Sequence, residues 1–84
     1  MFIFNRMRTV DNRAEVMLKT MEFEKDWRLE TATEMELYVY SYVNPDSHNV
    51  KRVLLNHVYK LRREAMEISE QYYKLKRVMD TIHQ

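Results

Sequence analysis

Apolar residues in the C-terminal half fall at Leu54, Val58, Leu61, Ala65, Ile68, Tyr72, Leu75, Met79 and Ile82. The steps alternate between four and three residues without a slip. One apolar position every 3.5 residues draws a single stripe along a long helix, as in coiled-coil packing. No Gly or Pro interrupts the run, and Lys, Arg, Glu, Met and Leu favour helix. The pattern predicts a helix over about residues 49–82, a rod of roughly 50 Å at ~1.5 Å per residue. Such a rod overhangs a small body, which leaves apolar residues for a second copy to cover.

Between residues 21 and 43 the period changes to two. Only one of the twelve odd positions is charged, Lys25, against seven of the eleven even ones. Strict alternation of this kind marks strands with one buried and one wet face. Leu37–Val43 is also rich in Tyr and Val, which suit strands. The run is too long for one strand, so a turn near residues 30–33 folds it into an antiparallel pair. Residues 1–5 form a candidate third strand, and residues 12–19 a short helix capped by Asn12 with Glu15. Asn44-Pro45-Asp46-Ser47 is the one clear breaker, with Asp46, Ser47 or Asn49 as caps of the long helix. His83-Gln84 is expected to fray.

The fold expected is therefore α+β: strands near 20–30 and 34–43, with 1–5 as a third, packed on one long C-terminal helix. The alternative is an all-α helical hairpin. It is supported by the absence of Gly, which β-hairpins usually need, and by a passable capping box at Thr33 and Glu36. In a helix, however, the alternating charges of residues 21–43 are smeared around every face.

Length changes this picture little. Eighty-four residues make one domain, 1–84, with a marginal core. Without Cys there is no disulfide or thiolate metal site to reinforce it, which leaves oligomerisation as the route to stability. No segment resembles a signal peptide or approaches the ~20 apolar residues of a membrane span. The expected setting is cytoplasmic, with no membrane partner.

The net charge of +1 is uninformative, but its distribution is not. Residues 22–36 are acidic (Glu22, Glu24, Asp26, Glu30, Glu34, Glu36), whereas residues 51–77 carry eight Lys and Arg against three Glu. Opposite halves can attract each other within one fold or across a dimer. The long helix also carries a second stripe, Arg52, Tyr59, Arg63, Met66, Tyr73 and Arg77, away from the first. Arg neutralises phosphate and Tyr stacks on unpaired bases. Glu64, Glu67 and Glu70, and the carboxylates beside Tyr38, Tyr40 and Tyr42, count against phosphate binding. Phosphate contacts are thus expected only on the helix and at Arg6, Arg8 and Arg13.

Catalysis finds no support. A chain without Cys or Gly has no thiol nucleophile, no G-x-S-x-G and no glycine-rich phosphate loop. Asp46, His48 and His57 lack metal-ligand spacing, so neither metal nor cofactor is expected, nor a small-molecule substrate. The function expected is a non-enzymatic regulatory protein, homodimeric, that binds a protein partner stoichiometrically as an inhibitor or adaptor. Trp27, Tyr38 and Tyr40 are candidate anchors near the acidic patch, and Leu61, Ile68, Leu75 and Met79 candidate dimer contacts. The alternative is RNA or DNA binding through the helix residues Arg52, Tyr59, Arg63, Tyr73 and Arg77.

Overall fold

The structure is a computed structural model that describes the backbone of residues 2–82 and the side chains of residues 12–82. Two helices, α1 (Phe2–Tyr42) and α2 (His48–Ile82), lie side by side as an antiparallel hairpin. The hairpin measures 67 × 16 × 14 Å. Among the described residues there is no strand, which overturns the α+β expectation, its sheet at 20–30, 34–43 and 1–5, and its separate short helix at 12–19. The all-α helical hairpin is the fold observed. The long C-terminal helix lies where the stripe placed it, within a residue at each end. The expected fraying of His83 and Gln84 falls outside the described residues.

The strand pattern misled for a geometric reason. On a helix, residues two apart lie about 200° apart, on opposite sides. A helix with one apolar stripe on each side therefore alternates along the chain much as a half-buried strand does. Helix α1 is such a helix. Ala14, Leu18, Met21, Lys25, Arg28, Ala32, Met35 and Val39 repeat at steps of four and three, and all are at least partly covered. Val16, Phe23 and Leu37 repeat on the other side and stay exposed. Lys25 and Arg28 break the inner stripe's apolar character, which hides its period.

The turn works without Gly. Pro45 cannot donate a backbone hydrogen bond and biases Asn44 away from helix, so α1 stops at Tyr42. The Asn44 side-chain Oδ1 accepts from the Asp46 N–H at 3.0 Å, and its carbonyl accepts from the Ser47 N–H at 2.9 Å. The Ser47 carbonyl then accepts from the Lys51 N–H at 3.0 Å, so Ser47 is the residue that opens α2. No described residue needs a positive φ. Threonines inside the helices are satisfied by donating back one turn, Thr20 to the Val16 carbonyl and Thr33 to that of Leu29.

In a chain of two helices, a side chain is covered chiefly by facing the other helix. The core is correspondingly thin: Ala32, Val39, Val58 and Ala65 are the buried apolar residues. Around it run polar links between the helices. Arg28 sits in the inner stripe, and its guanidinium donates to Glu24 one turn back at 2.5 Å and to Glu64 on α2 at 3.0 Å. These two hydrogen bonds, Glu24 first, raise its pKa above the ordinary arginine value, so the charge is permanent. Arg62 pairs with Glu36 at 2.6 Å, and the Lys51 ammonium lies 5.1 Å from the centre of the Tyr40 ring. A polar residue in an apolar seam penalises shifted pairings, so Arg28 fixes the register in which α1 meets α2.

The shape leaves much surface uncovered. The chain exposes 7342 Å². A compact monomer of this mass would expose about 5,400 Å², so the excess is roughly 1,900 Å². The radius of gyration is 19.0 Å, against about 12 Å for a compact domain of this length. No helix among the described residues is long and apolar enough to cross a membrane.

Candidate nucleic-acid interface

The first stripe of α2 is turned inward. Leu61, Ile68, Leu75 and Met79, candidates for contact between copies, are partly covered and lie in line with buried Val58 and Ala65, facing α1. Contacts within the hairpin thus occupy the surface that the overhanging-rod argument left free. Only its last member, Ile82, is largely exposed.

The second stripe is turned outward along its whole length. Arg52, Tyr59, Arg63, Met66, Tyr73 and Arg77 are all exposed. Asn56 and Glu70 complete the repeat, so this outer face runs at steps of four and three like the inner one. From Arg52 to Arg77 it spans about 37 Å. Tyr59, Met66 and Tyr73 are spaced two turns apart, about 10.5 Å, with Arg63 between the first two, Glu70 between the last two, and Arg52 and Arg77 at the ends. The Arg77 guanidinium leans back toward the Tyr73 carbonyl at 3.4 Å, and the Tyr73 ring meets that of Tyr72 edge-on with centres 5.5 Å apart. Near the turn, His48, Lys51, Arg52, Leu55, Asn56 and Tyr59 line a shallow hollow of about 360 Å³. Two cations and an aromatic ring thus share one depression.

The electrostatics of this face differ from those the sequence suggests. Glu64, one of three carboxylates that interrupt the basic run, is turned to the side and bound by Arg28. Arg62 is likewise committed to Glu36. What α2 exposes is Arg52, Lys60, Arg63, Lys74, Lys76 and Arg77 against Glu67, Glu70 and Asp80, an excess of three positive charges. Among described side chains, α1 exposes Glu15, Glu22, Asp26, Glu30 and Glu34 against Arg13 and Lys19, an excess of three negative charges. The acidic and basic halves of the chain have become separate helices with separate outer faces.

The remaining candidates lie on α1. Trp27, Tyr38 and Tyr40 are exposed. Trp27 has the Arg28 guanidinium 5.4 Å from its ring centre, and Tyr38 packs against Tyr42 with ring centres 5.5 Å apart. They do not join the α2 stripe; Tyr38 and Tyr40 cluster near the turn, and Trp27 stands about three turns away along α1. Arg13 is exposed, whereas the side chains of Arg6 and Arg8 fall outside those described. No group of His, Asp and Glu among the described residues is arranged to hold a metal. Sequence reasoning missed the exposed Val16, Phe23 and Leu37 of α1 as one face; their spacing of seven and fourteen residues was the available signal.

Comparison with family models, with curated proteins and with solved structures finds no match.

Proposed function

We propose that this protein is a non-enzymatic nucleic-acid-binding protein that holds single-stranded RNA or DNA along the outer face of α2. The observation that carries the proposal is the exposed stripe of Arg52, Tyr59, Arg63, Met66, Tyr73 and Arg77, in which Glu70 is the one carboxylate, on a helix whose Glu64 is taken up by Arg28 and whose exposed charges are six Lys and Arg against Glu67, Glu70 and Asp80. Arginines spaced along ~37 Å meet a run of phosphates, since stacked strands place one about every 3.4 Å. The tyrosines offer sequence-tolerant stacking platforms to unpaired bases. A single straight helix face with Tyr but no fork or turn suits a single strand better than base-edge readout of a duplex. The acidic outer face of α1 points away and keeps the strand to one side.

The test is fluorescence anisotropy with a labelled 20-nucleotide single-stranded RNA of mixed sequence. Three to five phosphate contacts predict a slope of log K on log salt of about −2 to −3.5. Arg63→Glu with Arg77→Glu should abolish binding, and Tyr73→Ala should weaken it with little change in slope. Absence of binding at low salt ends the proposal.

A second reading is stoichiometric association with a basic protein partner, as inhibitor or adaptor. The exposure of Trp27, Tyr38 and Tyr40 on the acidic helix favours it, because aromatic residues anchor interface centres. Capture of a partner that is lost with Tyr40→Ala but kept with Arg63→Glu would favour this reading over the first.

A further inference from the structure

We infer that a second copy of this chain covers the outer face of α1, with two α1 helices antiparallel about a two-fold axis beside residue 25. The face is built for a partner. Val16 and Phe23 are 62% and 68% exposed, Leu37 63%, and Trp27 about half, on a helix whose opposite side is already packed on α2. The chain as a whole exposes roughly 1,900 Å² more than a compact monomer would, whereas a standard interface hides about 800 Å² per partner. One such contact accounts for a large share of the excess.

Charge along the face selects the second copy and its direction. Its N-terminal part carries Arg13 and Lys19, with Glu15 and Glu22 at its edge, and its C-terminal part carries Glu30 and Glu34 and no exposed cation. A parallel pairing sets like charges opposite each other. An antiparallel pairing about residue 25 sets each residue i opposite residue 50 − i. Lys19, opposite the partner's Thr31, then lies one residue from the partner's Glu30, and Arg13, opposite the partner's Leu37, lies about one turn from the partner's Glu34. At the centre Phe23 meets the partner's Trp27, an aromatic pair that an isologous contact repeats twice. Asp26, close to the axis, already has Lys25 beside it at 3.6 Å.

Shape points the same way independently. Asn12, Arg13, Val16 and Met17 border a shallow hollow of about 470 Å³ on the surface. The register that joins Phe23 to Trp27 lays Leu37 of each copy over that hollow on the other, a knob entering a hole. The product is a four-helix assembly with α1 helices inside and α2 helices outside, both basic stripes remaining free. The pairing does not depend on what those stripes bind.

Analytical ultracentrifugation of the full chain at 1–100 µM tests it, with circular dichroism to confirm helix content. Wild type should sediment as a dimer. Leu37→Glu should weaken dimerisation at least tenfold. Arg13→Glu and Glu34→Arg should each weaken it severalfold, and the double swap should recover most of the loss. Both swap positions are exposed in the single chain and leave its core intact, so the swap series decides the matter even if Leu37→Glu proves insoluble. A wild-type monomer at 100 µM overturns the inference. So does a dimer that ignores these substitutions yet dissociates with Tyr59→Glu, because that dimer would use α2.

Discussion

Truncating Val58 to alanine probes the packing on which every other contact depends. Val58 is fully buried, in the inner stripe of α2 one turn after Leu54. The change removes two methyl-sized groups, about 1.6 kcal/mol of burial at ~0.8 kcal/mol each. Residual cavity adds to the loss, limited here because a two-helix layer can relax sideways. Alanine returns roughly 0.6 kcal/mol through better helix propensity. The net destabilisation is about 1–2 kcal/mol, or a fall in Tm of about 4–16 °C for a chain of this size. Tyr59, the next residue, is 60% exposed on the opposite side, and Tyr59→Ala should stay within about 0.5 kcal/mol of wild type. The assay is thermal unfolding followed at 222 nm, all chains at one concentration because self-association shifts Tm. Equal losses at the two positions, or a larger loss at Tyr59, would refute the assignment of inner and outer faces.

Further expectations concern the turn, the seam and the stripe. Asn44→Ala deletes the side-chain acceptor for the Asp46 N–H and should cost about 0.5–1.5 kcal/mol, read by the same unfolding experiment. Arg28→Met with Glu64→Met replaces the inter-helix ion pair by apolar side chains; Tm should hold or rise, while broader amide spectra report the loss of a unique register. Because the Glu24 and Glu64 hydrogen bonds raise the Arg28 pKa, its contribution as a cation is complete at neutral pH and fades only above the ordinary arginine value. Titration between pH 6 and 9 should therefore leave the Arg28 links charged. Lys60→Glu, on the rim of the α2 stripe, should reduce the salt slope of nucleic-acid binding by about one to two contacts without altering Tm.

Helix α2 was legible because its apolar residues form one uninterrupted stripe, and any helix of that period must bury it. Helix α1 was not, for two reasons that compound each other. Its inner stripe contains Lys25 and Arg28, and the place of Arg28 in the seam makes sense only once Glu64 stands opposite. Its outer face carries Phe23, Trp27 and Leu37, residues that a two-helix hairpin has no means of covering. With apolar residues on both sides, neighbouring positions two apart matched, and the period of a strand emerged from a helix. The division of charge between the halves survived folding, because each half became one helix. The pairing of Glu64 with Arg28, which takes one carboxylate of α2 out of play, depends on contacts 36 residues apart and had no local signal.

The hairpin itself is tested most directly by the distance between two spin labels, one on each helix. The chain contains no Cys, so Glu22→Cys and Gln71→Cys place labels at two exposed positions only, off both outer faces. Helices packed 8–10 Å apart, with label arms added, predict a separation of roughly 20–30 Å that persists when labelled chain is diluted into unlabelled chain. A separation of roughly 70 Å, as a continuous rod through residue 45 would give at ~1.5 Å per residue, contradicts it. So does a short distance that vanishes on dilution.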